Sequence, residues 1–282
     1  MIMTKITSIL PIAGMGTRMA PLSKAVPKEL LPLPLYKNGE MILIPIIHLI
    51  FKVMFKAGIR DYVFVLSKNK DIIKSYFTID DEYLDLLRTS GKKLQIEVLD
   101  ELRKMVDNSR IRYVYQDEPK GFGDAVYLAS KQIKTDVIIH PGDDYLLYTE
   151  NYITRMINAK NEVNADIITF VEEVDDPRHY GVIKGVRISD DIYRVLEIYE
   201  KPSKPPSKMA VVAIYYLDNS MLKYVEKAAE KGMWEFTDAI SYAIQDGAKV
   251  YALKIDHDIR VDVGRPETYL ESLFKTRNHL VD

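Results

Sequence analysis

Residues 11–33 read PIAGMGTRMAPLSKAVPKELLPL, two glycines followed by three cations. Gly14 and Gly16 permit a tight turn and close approach of the backbone to a ligand. N–H groups exposed by such a turn donate to phosphate oxygens. Arg18 adds a permanent charge whose planar fork matches a phosphate, and Lys24 and Lys28 bring two further cations within ten residues of it. The chemistry this pattern suits is the cradling of a triphosphate. Two better-known phosphate loops do not fit. A P-loop requires GxxxxGK[ST], which is absent, and the dinucleotide fingerprint requires a third glycine where Met19 stands. Ser67 and Lys68, not an acid, follow the second expected strand.

Four other stations carry polar chemistry. Gln116 opens QDEPKGFGDAV, a loop running into an expected helix. Residues 138–145, IIHPGDDY, end a strand in Gly-Asp, and magnesium favours such carboxylate oxygens together with phosphates and water. YGVI at 180–183 and YEKP at 199–202 lie later in the chain, and VDVG at 261–264 follows a late strand. Taken singly, stations such as the Gln116 loop and YEKP read as an ordinary loop or surface turn. The histidines 48, 140, 179, 257 and 279 show no ligand spacing, and no GxSxG nucleophile turn is present.

The elements that must position these residues alternate between strand and helix. Strands are expected at Lys5–Ile12, Asp61–Leu66, Ile111–Tyr115 and Asp136–His140. Helices are expected at Ile44–Ala57, Lys70–Phe77 and Gly123–Gln132. Such alternation implies right-handed βαβ units, with ligands bound beyond the carboxyl ends of the strands. Gly14, Gln116 and Gly142 all follow strands, so they should share one edge. Further strands are expected at Asp166–Glu172, Gly181–Val186, Tyr193–Tyr199, Val211–Leu217 and Lys249–Lys254, with a hairpin turn near Ser189–Asp191. Helices should follow at Asn219–Lys231 and Thr237–Gln245, and at Pro266–Asn278 with proline at its start. Asp80–Ser109 interrupts the alternation with apolar residues at near-helical spacing, and predicts one or two amphipathic helices that pack on the body or on another subunit.

Size and composition set the outer limits. The 282 residues suffice for one large α/β domain or for two small ones. Net charge is close to balance, 39 lysines and arginines against 41 acids, which argues against a nucleic-acid partner. Cysteine is absent, excluding disulfides and thiolate metal sites. The longest apolar stretch, Met41–Phe55, contains Pro45, His48 and Lys52 and reads as a buried helix rather than a membrane span. A cytoplasmic protein is the expectation.

The string from Gly14 to Pro32 closely resembles the signature of the nucleotide-sugar pyrophosphorylases, GxGTRxxPxTKxxPKxxxP. The resemblance extends over nearly the whole chain and is strongest to the bacterial-type UTP–glucose-1-phosphate uridylyltransferases. It implies a mixed, mostly parallel Rossmann-like α/β sheet flanked by helices. One domain is expected over 1–282, with a nucleotide part near 1–150, the helical insertion near 80–109, and a sugar part near 151–282. The longer 80–109 segment favours UTP over dTTP, because the related thymidylyltransferases are shorter there.

The resemblance also implies residue roles. Ala13, Gly14, Gly16, Thr17, Gln116 and Gly121 would bind the nucleotide, with Gln116 and Gly121 reading the uracil. Arg18 and Lys28 would hold the triphosphate. Gly181 and Glu200 would contact glucose, and Lys201 would grip its phosphate. Asp143 and Asp262 would bind magnesium, whereas Asp144 reads as a solvated loop acid and Asp256 and Asp258 as surface acids. A phosphate oxygen of glucose 1-phosphate would attack the α-phosphorus of UTP, with pyrophosphate leaving from the opposite side. A homodimer or homotetramer is expected. Three departures touch the sugar side: Ala213 where glycine is usual, Lys208 where asparagine is common, and Met233-Trp234-Glu235 in place of E-x-Q. The alternatives are dTTP or another nucleotide and sugar pair, and more remotely a non-catalytic nucleotide-sugar sensor, which would not need Arg18, Lys28, Asp143 and Asp262.

Overall fold

The computed structural model describes residues 5–148, 150–256 and 259–279. The glycine loop leaves strand β1 (Ile6–Pro11) and closes through three 3-10 turns into a hairpin, β2 (Pro32–Lys37) and β3 (Glu40–Pro45). Helix α1 (Ile46–Lys56) and strand β4 (Asp61–Leu66) follow, then α2 (Asp71–Tyr76). The expected insertion is two helices, α3 (Asp81–Thr89) and α4 (Lys93–Asp107), leading into β5 (Arg110–Tyr115). The chain continues through α5 (Phe122–Ser130), β6 (Asp136–Ile139), the short β7 (Asp144–Leu146) and α6 (Tyr152–Glu162). The second half comprises β8 (Ile167–Glu173), β9 (Gly181–Arg187), β10 (Ile192–Glu200), β11 (Met209–Leu217), α7 (Leu222–Glu230) and α8 (Phe236–Gln245). It closes with β12 (Val250–Ile255), β13 (Arg260–Asp262) and α9 (Pro266–His279).

Among the described residues nine strands form one sheet, in the order β5-β4-β1-β6-β11-β8-β12-β10-β9. The first four run parallel, as the βαβ alternation requires. β11 enters antiparallel between β6 and β8, so strands from both halves of the chain share the sheet. Beyond it only β8 and β12 are parallel. β9 and β10 form the expected hairpin.

Helices cover both faces. β4 is buried along its whole length. Tyr62, Phe64 and Leu66 join Phe51 of α1 and Leu102 of α4 in one apolar cluster, while Val63 and Val65 join Ala125 and Ala129 of α5 in another. This alternation follows from the two-residue period of a strand. α4 buries Leu94, Val98, Leu102 and Met105, a single stripe at helical spacing, so the insertion is anchored on the body.

Two features depart from expectation. Residues 41–45 of the apolar stretch are strand β3 rather than helix, paired with β2 across an Asn38-Gly39 turn in which both residues have positive φ, 54° and 81°. That is the two-residue hairpin turn asparagine and glycine favour. The second is a three-pair ladder, β7 with β13, which stands apart from the main sheet. No helix among the described residues is long and apolar enough to cross a membrane.

Candidate active site

Among the described residues, three adjoining cavities lie near the carboxyl ends of the parallel strands. The first, about 230 Å³, is lined by Gly14, Met15, Gly16, Lys24, Lys28 and Lys70 among others. Gly16 takes a left-handed φ of 63°, and a β-carbon there would meet Ser23 at 3.2 Å. The tight turn therefore needs glycine. Behind it, Lys70 donates to both oxygens of buried Glu29 at 2.7 Å. Burial pushes the Glu29 carboxyl up and the Lys70 ammonium down, against the attraction between them.

The second cavity, about 240 Å³, is lined by Ala13, Gly14, Gln116, Gly121, Phe122 and Asp143 among others. Strands β1, β5 and β6 deliver these residues to one edge, as the alternation predicted. The Gln116 side-chain amide donates to Asp124 Oδ2 at 2.7 Å and to the Gly121 carbonyl at 3.1 Å. With both acceptors on one side, the amide orientation is settled, and the carbonyl Oε1 is the group left for a ligand. Gly121, with φ 147°, and Gly123 both abut the Trp234 carbonyl: an added β-carbon would sit 2.7 Å from it at either position.

The third, a cleft of about 470 Å³, is lined by Gly181, Glu200, Lys201, Tyr215, Glu235 and Thr237, and at its other end by Arg18, Asp143, Arg260 and Asp262. Glu200 accepts from the Thr237 hydroxyl at 3.1 Å. The Lys201 ammonium lies 2.6 Å from Glu200 and 3.7 Å from Glu235. Its hydrogen bond to Glu200 holds its pKa above the ordinary lysine range. Lys201 has a φ of 39°, a costly region for a residue with a β-carbon.

Asp143 follows β6 and is met by Lys28 in an ion pair. Burial acts to raise the Asp143 pKa, but Lys28, with Lys70 and Arg18 behind it, holds it below the ordinary carboxylate value. Lys28 is held above its ordinary value, since Asp143 and Glu29 outweigh burial. Asp262 lies at the end of β13. A β-carbon at Gly264 would be 2.9 Å from Asp262 Oδ1, 3.3 Å from Asp143 Oδ2 and 3.4 Å from Arg18 Nη2, so the two carboxylates and the guanidinium converge on one place. Among the described residues no group of three or more His, Cys, Asp or Glu is arranged to hold a metal ion.

The structure thus brings together most of the residues singled out from the sequence. Arg18 faces the large cleft while Lys24 and Lys28 line the small cavity, so the three cations are divided between two walls. Thr17 is exposed and lines none of the three cavities. Asp144 corrects the expectation of a solvated loop acid. It is 7% exposed, and the Arg260 guanidinium donates to both its oxygens at 2.8 and 3.0 Å. Burial, reinforced by Asp262, pushes its pKa up to about 6, with Arg260 opposing. Lys208 pairs with Asp175 at the surface, at 3.4 Å, and does not line the cleft, whereas Ala213 does. Asp256 is exposed as expected; His257 and Asp258 lie outside the described residues. Thr237, Tyr215 and Arg260 were not foreseen as site residues. The only local sign was that Thr237 follows the altered E-x-Q position.

Residues 8–278 match the nucleotidyl transferase family. The chain belongs to that family. Among nucleotidyl transferases it is 33% identical over 264 residues to UTP–glucose-1-phosphate uridylyltransferase 2 of Staphylococcus saprophyticus, covering 91% of this chain and 86% of that one. It is 30% identical over 273 residues to the UTP–glucose-1-phosphate uridylyltransferase of Pseudomonas aeruginosa, covering 94% and 93%. In three dimensions it is similar to the UTP-bound UGPase of Acinetobacter baumannii, with a TM-score of 0.79 and 27% identity over 95% and 92% of the two chains.

Proposed function

We infer that this nucleotidyl transferase moves the uridylyl group of UTP to glucose 1-phosphate, forming UDP-glucose and pyrophosphate. The observation that carries the reading is the way the three cavities meet. The middle cavity shares Gly14 and Lys28 with the lysine-lined one, and Phe122 and Asp143 with the large cleft. A nucleotide with its base against Gln116 and its β- and γ-phosphates toward Lys24 and Lys28 has its α-phosphorus at the junction. A sugar phosphate in the large cleft reaches that phosphorus from the other side. The names of the relatives support UTP and glucose 1-phosphate as the pair.

The nucleophile is already an anion, so the protein need not remove a proton. Its work is positioning and charge neutralisation. Gln116 and Gly121 hold the base, and Ala13, Gly14 and Gly16 the ribose and phosphates. Lys28 and Arg18 approach the reacting phosphates from the two walls. Gly181 and Glu200 hold the glucose, and Lys201 its phosphate. Asp143 and Asp262 would hold a divalent ion, for which magnesium is the fit: two convergent hard-oxygen donors suit an ion that completes its shell with phosphates and water. When bound, that ion supplies positive charge to the α-phosphate and the leaving pyrophosphate.

The test is pyrophosphate release and UDP-glucose formation from UTP, magnesium and glucose 1-phosphate, with dTTP and other sugar 1-phosphates in parallel. UDP-glucose should be the product. Release with no pair would overturn the reading in favour of a sensor, and preference for dTTP would move it to thymidylyl transfer. Asp143→Asn and Lys201→Ala should each lower turnover by about 10²–10³; near-normal rates in both would sink the residue assignments.

A further inference from the structure

We propose that Arg260 is a positioning residue: by bracing Asp144 and Glu172 it fixes the register of the short ladder that brings Asp143 and Asp262 together, and thereby sets the affinity for the divalent ion. The proposal rests on reading those two aspartates as the metal pair.

The ladder is short and carries opposed charges. β7 and β13 make three cross-strand pairs, Asp144 with Asp262, Tyr145 with Val261 and Leu146 with Arg260. Leu146 and Val261 anchor the ladder in the main apolar cluster, but three pairs are few, and a slip of one residue turns every side chain to the opposite face. Asp262 would then leave the cleft. The native register also sets two acids, Asp144 and Asp262, directly opposite each other, and like charges so placed destabilise a pair of strands. Asp143 lies beside them. The ladder therefore holds a register that its own carboxylates oppose.

Arg260 offsets that opposition. It stands two residues before Asp262, hence on the same face of β13. Its Nε and Nη2 donate to Asp144 at 2.8 and 3.0 Å, across the ladder. Its Nη1 donates to Glu172 of β8, in the centre of the nine-stranded sheet. The side chains of Arg260, Asp144 and Glu172 are 13%, 9% and 2% exposed, so water screens these contacts little. One guanidinium thus locks the two strands together and ties both to the main sheet. Although Arg260 lines the large cleft, its Nε, Nη1 and Nη2 each donate to a carboxylate, and the proposed role is exerted through those acids. The fixed register sets the Asp143–Asp262 geometry directly: the Val263 N–H donates to the Asp143 carbonyl at 3.0 Å, and the Gly264 N–H to Asp262 Oδ1 at 2.7 Å. Lysine offers one point contact and cannot reproduce the fork.

The experiment measures manganese binding to the nucleotide-free protein by electron paramagnetic resonance, and the magnesium dependence of UDP-glucose synthesis, in Arg260→Lys, Arg260→Met and Asp144→Asn. Each should raise the manganese dissociation constant about tenfold to a hundredfold, the usual penalty for losing the support of a metal ligand. Excess magnesium should recover turnover in Arg260→Lys, since a weakened site still fills by mass action. Asp144→Asn keeps the shape of the pair and stands in if the arginine variants do not fold. Unchanged manganese affinity in folded variants, or a loss of turnover that no magnesium concentration recovers, would overturn the proposal. Asp262→Asn separates the two layers of the argument. If it binds manganese like the parent, the metal pair itself is wrong and the brace falls with it. If it loses binding while the Arg260 and Asp144 variants keep it, only the brace falls.

Discussion

Lys28 donates to the Asp143 carboxylate across 115 positions of chain, so the signature loop and the end of β6 are joined at the point where the cavities meet. The pairing gives Lys28 two opposed effects. In the proposed reaction it would offer positive charge to the triphosphate, and it would compete with a divalent ion for Asp143. Lys28→Met should therefore lower turnover by about 10²–10³, yet tighten manganese binding to the nucleotide-free protein. A steady-state assay and a manganese titration check the two halves. Weaker manganese binding would mean that Lys28 supports Asp143 rather than competing for it.

Base choice should depend on Asp124, a residue that touches no reacting atom. Asp124 and the Gly121 carbonyl claim the N–H groups of Gln116, leaving its carbonyl as an acceptor. An acceptor suits the N3–H of uracil and repels the bare N3 of cytosine. Asp124→Asn loosens that lock and allows the Gln116 amide to turn over. The preference for UTP over CTP in kcat/KM should fall about tenfold, the equivalent of ~1.4 kcal/mol. An unchanged preference would show that Gln116 is oriented by something else.

At the sugar end, Glu235 stands where the resemblance to the pyrophosphorylases leads to an expectation of glutamine. Its carboxylate and that of Glu200 share the Lys201 ammonium. In the proposed reaction Glu235→Gln removes one competitor for the charge that would meet the sugar phosphate. KM for glucose 1-phosphate should fall by up to about fivefold, as an exposed pair of this kind is worth ~0.2–1 kcal/mol. Initial rates over a range of glucose 1-phosphate at saturating UTP give the answer. A rise in KM would instead place Glu235 among the groups that hold the sugar.

Local pattern was enough wherever a residue's surroundings are set by its own neighbours in sequence. β4 matches its expected span, Asp61–Leu66, because a six-residue run rich in β-branched and aromatic residues suits a strand buried on both faces. α9 begins at Pro266 because proline suits the first turn of a helix. The β2–β3 hairpin was legible too, in Asn38-Gly39 between two apolar runs, but helical spacing from Ile44 onward masked it. Asp144 was not legible. Its burial depends on Arg260, which lies 116 positions away and enters through a ladder too short to leave a periodic trace. The same holds for Glu29 and Lys70, an acid and a base that look like surface residues until the loop after β4 folds over the signature loop. The split of Arg18 from Lys24 and Lys28 follows from backbone turns that spacing alone does not encode.

Acid should destabilise the protein through His140, at the end of β6. Its ring is fully buried, and burial pushes its pKa down to about 4 from an ordinary 6.5. The Pro141 carbonyl accepts from Nδ1 at 2.7 Å, which leaves Nε2 to accept from the Tyr152 hydroxyl at 2.9 Å. The neutral ring satisfies both partners, and a proton on Nε2 would face a hydroxyl that must turn away. The unfolded chain takes up this proton near pH 6.5, the folded one only near pH 4. Stability from this residue is therefore complete above 6.5 and is lost as pH falls through that window, by an amount approaching about 3 kcal/mol. Urea unfolding at a series of pH values should show the loss in the parent. His140→Gln, less stable at pH 7, should show a shallower slope across the same range. Parallel slopes in the two proteins would assign the acid sensitivity to other groups.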